Sequence, residues 1–369
     1  MRSLQVRLSD RSYSILIGRD LLSQAGKLIK ERLPEHRCAL VVTQKEIALY
    51  YLAPLLENLA AQGFETAAFI TPASKSSEAA KTQAVYSKLI KKMASLDGKG
   101  KALFLVALGG GVIGDLTGFA AAVYRRGIPF VQIPTTLTAQ VDSAIGGKTG
   151  IDLPEGKNLL GCVYQPMLVL SDLSLLNSLS ERHWSDGFAE VIKYGVIKDP
   201  SLFQLLEKNG KAGIRRNAKL LENVIHDCAR IKAKIVEQDE FDKKDLRIVL
   251  NFGHTAGHAI EAASSFSRAY THGEAVGIGM LVACDIASQM GILKDQTLTT
   301  RLEKTLMKFE LPLLFRAITV EQILKAVGYD KKNASGKNRF VLPVALGKTT
   351  LVRDIPASVI TEALVKRKG

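Results

Sequence analysis

The feature that most constrains the fold is the alternation of short apolar runs with amphipathic stretches in the first half of the chain. The runs predicted to be strands are 13–18, 38–43, 64–70, 102–108 and 129–133. The stretches predicted to be helices are 20–33, 44–62 and 78–95. Because buried apolar strands that alternate with helices are typical of parallel sheets, this half is predicted to be α/β.

After about residue 178 the pattern changes to helical periodicity. The predicted helices are 186–198, 201–209, 217–237, 253–267, 273–291 and 296–308, and strand signals return at 339–352 as a small β-hairpin. A chain of 369 residues is long enough for two cores. We therefore predict an α/β domain at 1–178 and a mostly α-helical domain at 179–369.

Composition narrows the classes of function. No apolar stretch reaches the ~18 residues that span a bilayer, and the first fourteen residues alternate as in a strand and not as in a signal peptide. The net charge of +14 is spread along the chain, and only 6% of residues are aromatic, so a nucleic-acid surface is not indicated. We predict a cytoplasmic protein with no nucleic-acid or membrane partner, an anionic small-molecule substrate, and four reduced, mostly buried cysteines.

A glycine-rich turn joins a predicted strand to a helix in LFLVALGGGVIGDLTGFAAA, residues 103–122. Glycines permit positive φ and let a phosphate approach the backbone, and the helix that follows offers free N–H groups. The turn matches neither G-x-G-x-x-G nor a P-loop. A simple strand-to-helix turn is the alternative, but three consecutive glycines favour a dinucleotide pyrophosphate, with Asp115 as a polar contact.

Histidines are concentrated in two segments of the helical half, NFGHTAGHAIE and THGEAVGIGM. His254 and His258 are four residues apart and share a helix face, and His272 precedes the next helix. Earlier, GFAEVIKYG places Glu190 and Lys193 one turn apart. A catalytic zinc ion takes three protein ligands, and from the residues alone the three histidines are equally plausible ligands. The H-E-x-x-H pattern of zinc peptidases is absent.

The stretch 134–161 is predicted to be an irregular polar loop beside the domain boundary. It contains Asp142, Lys148, Lys157 and Asn158. Lysines on a glycine-containing loop suit phosphate and carboxylate groups. An ordinary surface loop is the alternative, but the position at a boundary favours function.

These segments together resemble the 3-dehydroquinate synthase family over roughly residues 70–350. The motifs that carry the resemblance are GGGVIGDLTGFAA, PTTLTAQVDSAIGGKTG, GKNLLGCVYQP, FAEVIKYG, NFGHTAGHAIE, HGEAVGIGM and DKK…RFVLP. The resemblance implies a Rossmann-like NAD-binding domain, a helical metal- and substrate-binding domain, NAD, one zinc or cobalt ion, and a homodimer. It also implies a lyase of the shikimate pathway that converts 3-deoxy-D-arabino-heptulosonate 7-phosphate to 3-dehydroquinate and phosphate. The implied steps are transient oxidation by NAD, phosphate elimination, re-reduction and aldol closure.

The resemblance also assigns residues. The implied metal ligands are Glu190, His254 and His272. The implied catalytic and substrate-binding residues are Asp142, Lys148, Asn158, Lys193, Lys232, Arg247, Asn251 and His258, with Lys331 or Lys332 also reaching the substrate. The implied NAD-binding residues are Ser76, Ser77, Glu78, Ala79, Ala80, Lys81, Gly111, Val112, Ile113, Gly114, Asp115, Thr135, Thr136, Lys148, Lys157, Leu175, Leu176, Asn177 and Ser178.

The chain departs from the family pattern at two positions near the cofactor. Ser77 stands where the family usually has glycine, and Gln44 stands where a shorter Asp or Asn is common. Two alternative functions share the scaffold: another sugar phosphate cyclase, and a metal-dependent polyol dehydrogenase that would release NADH. Asn251, His258 and the DKK run favour dehydroquinate.

Overall fold

The computed structural model describes residues 1–72, 77–97, 102–264, 269–329 and 338–369. These residues divide into two compact units, Met1–Leu179 with Lys232–Phe241, and Ser180–Ile231 with Asp242–Gly369. The segment Lys232–Phe241, which the sequence division puts with the helical half, groups with the first unit. Ser76, Lys331 and Lys332 lie outside the described residues.

The first unit is α/β, as the sequence predicts. Its strands are β1 (Arg2–Val6), β2 (Tyr13–Gly18), β3 (Cys38–Gln44), β4 (Glu65–Thr71), β5 (Leu103–Gly109), β6 (Phe130–Pro134), β7 (Lys148–Leu153), β8 (Gly156–Val163) and β9 (Leu168–Asp172). Its helices are α1 (Ala25–Arg32), α2 (Lys45–Ala61), α3 (Gln83–Asp97) and α4 (Gly111–Val123). Within the described residues, one sheet has the order β1-β2-β9-β6-β5-β3-β4, and all its pairs are parallel except β1 with β2.

The central strands of this sheet are buried on both faces. Along β3, Ala39 and Val41 join one core with residues of α1 and α2, while Leu40 and Val42 join the other core with residues of α3 and α4. Each buried Val or Leu side chain contributes about 1.5–3 kcal/mol. Because the strands are parallel, the carboxyl ends of β3, β5 and β6 meet at one edge, where the glycine-rich turn follows β5.

The second unit is mostly helical. Its helices are α5 (Glu181–Ile197), α6 (Pro200–Arg216), α7 (Ala218–Gln238, whose last residues belong to the first unit), α8 (His254–Ala263), α9 (His272–Gln289), α10 (Leu298–Lys308), α11 (Val320–Tyr329) and α12 (Ala357–Lys366). The strands β10 (Arg339–Ala345) and β11 (Lys348–Arg353) form the predicted antiparallel hairpin. Helix α9 is buried along nearly its whole length, so it forms the centre of this unit.

The prediction of an irregular loop at 134–161 is wrong. A π-helical turn spans Ala139–Ser143, and β7 and β8 then form an antiparallel hairpin. Thr149, Gly150 and Ile151 of β7 are buried, and β7 packs against α4. Most of β8 is exposed, so it lacks the buried alternation that marks a strand in a sequence.

Two further findings concern the thiols and the membrane. All four cysteines are free, and Cys38, Cys228 and Cys284 are buried, whereas Cys162 is exposed. No helix in the described part of the chain combines the length and the apolar character that crossing a bilayer requires.

Candidate active site

Three helices of the second unit bring a carboxylate and two imidazoles together. Nε2 of His254 on α8 lies 3.4 Å from Oε1 of Glu190 on α5. Nε2 of His272, the first residue of α9, lies 3.2 Å from the same oxygen. One donor atom from each residue lies within 4.8 Å of the other two. One carboxylate and two imidazoles are a donor set suited to a divalent zinc or cobalt ion.

The other nitrogen of each imidazole ring also has an oxygen partner. Nδ1 of His254 lies 3.1 Å from the carbonyl oxygen of Phe252, and Nδ1 of His272 lies 3.3 Å from Oε2 of Glu261. An Nδ1–H donated to these oxygens leaves the Nε2 lone pair directed at the space beside Glu190. Metal-binding histidines commonly have this outer arrangement. Sequence reasoning gave Glu261 no role, although its spacing of seven residues places it on the same helix face as His254.

The electrostatic field of the cluster favours a positive charge. Glu190 is fully buried, which by itself raises its pKa, but the buried Lys193 ammonium and His254 lower the pKa of Glu190 well below its ordinary value. Burial disfavours a charged His272, yet hydrogen bonds with Glu190 and Glu261 raise the pKa of His272 well above its ordinary value. The carboxylates therefore stabilise a cation at this point, whether a proton or a metal ion.

Glycines allow α8 and α9 to approach closely enough to form the cluster. A Cβ at Gly279 would lie 2.0 Å from the carbonyl oxygen of Gly253, and a Cβ at Gly257 would lie 3.0 Å from Cα of Val276. No side chain fits at Gly279 without moving the helices apart. The glycines of GHTAGH and HGEAVGIG therefore set the distance between the helices that carry His254 and His272.

A helix cap fixes the position of His272. Thr271 and Glu274 form a capping box at the start of α9, and Arg182 donates to both carboxylate oxygens of Glu274 at 2.8 and 2.6 Å. The N–H of Gly273 donates to Oδ1 of Asp186 on α5 at 2.5 Å. The first turn of α9 is thus held to α5, which also carries Glu190.

The structure brings His258 to the same cluster and places two other histidines elsewhere. The His258 ring centroid lies 5.3 Å from that of His254 and 5.8 Å from that of His272. His258 is exposed and forms a second group of metal-type donors with Glu261 and His272. His226 instead contacts Asp227, and His183 contacts Ser180. The predicted residues Arg247 and Asn251 lie in the short helical turn before Phe252, with Arg247 buried and Asn251 exposed.

The glycine-rich turn of the first unit differs from the sequence interpretation in one respect. The glycines from Gly109 to Gly114 have no positive φ. They are required by close packing, because a Cβ at Gly114 would lie 2.6 Å from Oε1 of Gln132 and a Cβ at Gly111 would lie 2.8 Å from Oγ of Ser143. Helix α4 begins at Gly111, and the N–H groups of Gly111, Val112 and Ile113 precede its first helical hydrogen bond, which Gly114 donates to Gly110 at 3.1 Å.

A charged cluster forms around the buried Lys81 in the same unit. Its ammonium nitrogen lies 2.8 Å from Oδ2 of Asp115, 2.5 Å from Oδ1 of Asn158 and 3.9 Å from Oε1 of Glu78. Lys157 approaches Glu78 to 4.0 Å. Burial disfavours the ammonium, but Asp115 and Glu78 raise the pKa of Lys81, so it is charged. The structure therefore brings five predicted residues together, and it groups Asn158 with residues that the resemblance assigns to NAD.

Another cationic contact involves the segment 232–241. The ammonium of Lys232 donates to the carbonyl oxygen of Asp142 at 2.7 Å and lies 2.7 Å from its Oδ1. Asp142 lies in the π-helical turn, and Thr136 caps the start of that segment by accepting from the N–H of Ala139 at 3.1 Å. The pair links two positions that are 90 residues apart in the sequence.

The other predicted residues of the first unit lie in short elements. Thr135 is buried just after β6, and Lys148 is exposed at the start of β7. Ser77, Glu78, Ala79 and Ala80 form a 3₁₀ turn, and Leu175, Leu176, Asn177 and Ser178 lie in a 3₁₀ helix that Asp172 caps.

Comparison with known proteins identifies the chain's relatives. The family descriptions 3-dehydroquinate synthase N-terminal and 3-dehydroquinate synthase C-terminal match residues 72–186 and 187–333. A 3-dehydroquinate synthase from Desulforamulus reducens is 41% identical over 365 residues, covering 99% of each chain. One from Symbiobacterium thermophilum is 42% identical over 357 residues, covering 96% of this chain and 98% of the relative. The solved structure of ValA, a 2-epi-5-epi-valiolone synthase from Streptomyces hygroscopicus with NAD⁺ and Zn²⁺ bound, superposes with a TM-score of 0.85 at 28% identity, covering 99% of this chain and 98% of ValA.

The architecture is that of the sugar phosphate cyclases, an α/β unit with a helical unit that carries a cluster of metal-type donors. Within that class, the chain belongs to the 3-dehydroquinate synthase family.

Proposed function

We propose that the chain is a 3-dehydroquinate synthase, which converts 3-deoxy-D-arabino-heptulosonate 7-phosphate to 3-dehydroquinate and phosphate in the shikimate pathway. The observation that carries the proposal is the convergence of Glu190, His254 and His272 in a chain whose full-length relatives are named for this activity. The reaction needs a metal ion, a hydride carrier, and cationic side chains that bind the two anionic groups of the substrate. The chain has residues suited to each of these three needs.

The residues of the second unit fit a metal ion. Two Nε2 atoms face one carboxylate oxygen, and the opposite Nδ1 atoms already have oxygen partners. Glu190, His254 and His272 would hold zinc, with cobalt as the alternative. A divalent cation held there lowers the pKa of a bound hydroxyl group and so makes it easier to oxidise.

The residues of the first unit fit a dinucleotide. The free N–H groups at the start of α4 suit a pyrophosphate, and Lys81 and Lys157 add positive charge nearby. We assign NAD to Glu78, Lys81, Gly111–Asp115, Thr135, Thr136, Lys148, Lys157 and Leu175–Ser178. NAD supplies a hydride acceptor that is restored within each turnover, so the overall reaction is redox-neutral.

The remaining residues are assigned to the substrate. His258, an exposed imidazole beside the metal-type donors, would accept the proton of the hydroxyl group that is oxidised. The cations Lys148, Lys193, Lys232 and Arg247 would bind the phosphate and carboxylate groups, and Asn251 would hydrogen-bond a hydroxyl group. We assign Asn158 to the dinucleotide instead, because its Oδ1 lies 2.5 Å from the Lys81 ammonium. Asp142 would orient Lys232 through their 2.7 Å contact. Fixing the substrate in one geometry favours the later elimination and aldol steps.

The test is phosphate release from 3-deoxy-D-arabino-heptulosonate 7-phosphate by metal-stripped protein, with and without added zinc and NAD, while NADH absorbance is followed. We expect release only when both are added, with no net NADH. Steady accumulation of NADH would indicate a polyol dehydrogenase instead. Absence of phosphate release under every condition would overturn the substrate assignment and direct the assay to other sugar phosphates.

A matched pair of histidine variants separates the metal-type cluster from a general effect of losing an imidazole. His254→Ala should abolish phosphate release at any zinc concentration that leaves the protein folded. His226→Ala removes an imidazole of the same unit whose Nδ1 lies 3.4 Å from Oδ1 of Asp227, far from the metal-type donors in sequence, and it should retain activity. Equal activity of the two variants would contradict the proposed metal ligands.

We also propose a homodimer in the cytoplasm. Strand β8 pairs only with β7 within the described residues, and its Leu159 and Leu160 are 50% and 41% exposed. An apolar edge strand is suited to antiparallel pairing with a second copy of itself. Free, reduced cysteines suit the cytoplasm. Leu159→Lys should shift sedimentation toward the monomer, whereas Leu49→Lys on the exposed face of α2 should not.

A further inference from the structure

Asp152, near the end of β7, links three segments of the first unit. Its Oδ1 accepts a hydrogen bond from the N–H of Asn158 at 2.8 Å. Its own N–H donates to the carbonyl oxygen of Lys81 at 2.7 Å, and it forms a parallel bridge with Thr82. Asp152 is not among the residues proposed to bind metal, NAD or substrate, although its partners Asn158 and Lys81 are.

The contact with Asn158 fixes an unusual backbone conformation. Asn158 has φ +55°, in the left-handed region that non-glycine residues enter at a cost, although asparagine enters it more readily than most. The carboxylate of Asp152 satisfies the N–H of Asn158 in that conformation. As a result, Asn158 presents Oδ1 to the Lys81 ammonium at 2.5 Å.

The arrangement continues from Lys81 to the glycine-rich turn. The Lys81 ammonium lies 2.8 Å from Asp115, in the second turn of α4. Asp152 therefore acts on this cation twice, through the backbone of Lys81 and through the side chain of Asn158. Burial raises the pKa of Glu78, while Lys157 and Lys81 lower it. Asp152 raises the pKa of Glu78 further, so Asp152 also affects the charge of the carboxyl group beside the Lys81 ammonium.

We infer that Asp152 is a positioning residue of the cofactor site, which holds Asn158 and Lys81 in the relative orientation that binds the dinucleotide. The inference rests on the proposed function, since it assigns the cluster to NAD. Asp152 itself need not contact the ligand. The contact of Asp152 with Lys81 is made by the main chain, which substitution leaves in place, so the effect of the Asp152 side chain passes chiefly through Asn158. This distinguishes Asp152 from a residue that only stabilises the hairpin.

The test is a double-mutant cycle with the full chain and NAD. The dissociation constant of NAD is measured by calorimetry for wild type, Asp152→Ala, Asn158→Gly and the double variant. Asp152→Ala should weaken NAD about tenfold, the equivalent of about 1.4 kcal/mol. Glycine at 158 adopts a positive φ without help, so Asp152→Ala should cause little further loss in the Asn158→Gly background.

Two comparisons separate positioning from structural damage. Asp152→Asn keeps an oxygen that accepts from the N–H of Asn158, so it should recover most of the NAD affinity. Glu155→Ala removes a negative charge from the exposed turn of the same hairpin and should leave NAD affinity unchanged. The KM for the sugar phosphate at saturating NAD should change less than the affinity for NAD. If Asp152→Ala fails to fold, Asp152→Ser takes its place in the cycle.

The outcomes distinguish this inference from the proposed function. If wild type does not bind NAD, the proposed function and the inference are both overturned. If wild type binds NAD and Asp152→Ala binds it equally well, only the inference is overturned. Additive effects of Asp152→Ala and Asn158→Gly would also overturn it, because they would show that Asp152 acts independently of Asn158.

Discussion

Replacing Gly279 by alanine tests whether close packing of α8 on α9 creates the metal-type cluster. The added Cβ would lie 2.0 Å from the carbonyl oxygen of Gly253, whereas ordinary contact begins at 3.4 Å. The two helices must therefore separate by about 1.4 Å, which far exceeds the ~0.2 Å tolerance of metal–ligand distances. His254 and His272 begin these helices, so we expect zinc affinity to fall by about 100-fold. Overpacking should also lower the free energy of unfolding by about 1–3 kcal/mol.

Helix α9 supplies a matched control two residues away. A Cβ at Gly277 would lie 3.4 Å from Cδ2 of Leu306, an ordinary contact, so Gly277→Ala should keep zinc affinity and gain up to about 1 kcal/mol of stability. Zinc affinity is measured by competition with a chromophoric chelator, and folding by circular dichroism. If folded Gly279→Ala binds zinc as wild type does, close helix packing does not set the cluster. If Gly279→Ala does not fold, Gly257→Ala requires a smaller displacement and replaces it.

Three further predictions follow from contacts in the two units. Glu261→Ala removes the Nδ1 partner of His272 and should weaken zinc binding about 10- to 100-fold in the same competition assay, with Glu261→Gln recovering part of the loss. Arg367→Met leaves the buried Asp285 without its buried cation and should lower the free energy of unfolding in urea by about 3–5 kcal/mol. Lys366→Met removes the exposed partner of Asp285 and should lower it by less than about 1 kcal/mol. Burial raises the pKa of Glu78, so the folded protein favours the protonated form of this carboxyl group. Its contribution to the free energy of unfolding is fully present below about pH 4.3, the ordinary pKa of glutamate, and is lost as pH rises through the raised pKa. Glu78→Gln should therefore gain in melting temperature relative to wild type between pH 4 and pH 7 without NAD, and a constant difference across that range would contradict the assignment.

The sequence predicts those elements whose buried residues form one long apolar run in the chain. Strands β3 and β5 are buried at nearly every position, so their apolar runs stand out, and α9, which is buried along nearly its whole length, is an apolar run too long for a strand. Strand β9 was not predicted because its apolar run, which starts at Met167, is only four residues long. Helices α11 and α12 were not predicted either, and both are short.

Residue spacing alone does not separate the metal-type donors from their neighbours, although the family resemblance already implies Glu190, His254 and His272. His254 and His258 are equivalent in sequence, because both lie on one helix face with glycines before them. The structure distinguishes them, since Nε2 of His254 faces Glu190 while His258 is exposed. Asp152 had no signal because its hairpin was interpreted as an irregular loop, and the positive φ of its partner Asn158 is a property of the folded backbone that the sequence does not show.

Lys232 shows why periodicity alone could not complete the first unit. Helix α7 runs without a break from Ala218 to Gln238, and nothing in its period indicates that residues after Ile231 group with the sheet-containing unit. Residues after Ile231 instead make specific polar contacts within the first unit. Lys232 forms an ion pair with Asp142, and Glu240 accepts two hydrogen bonds from Arg11, both at 3.0 Å. Arg11 is about half exposed, so that pair contributes little stability, whereas the Lys232 ammonium is buried and depends on Asp142. The family resemblance names Lys232 and Asp142 separately, but the sequence does not reveal that this buried ammonium pairs with a carboxylate 90 residues away, because such a contact depends on how two distant segments fold together.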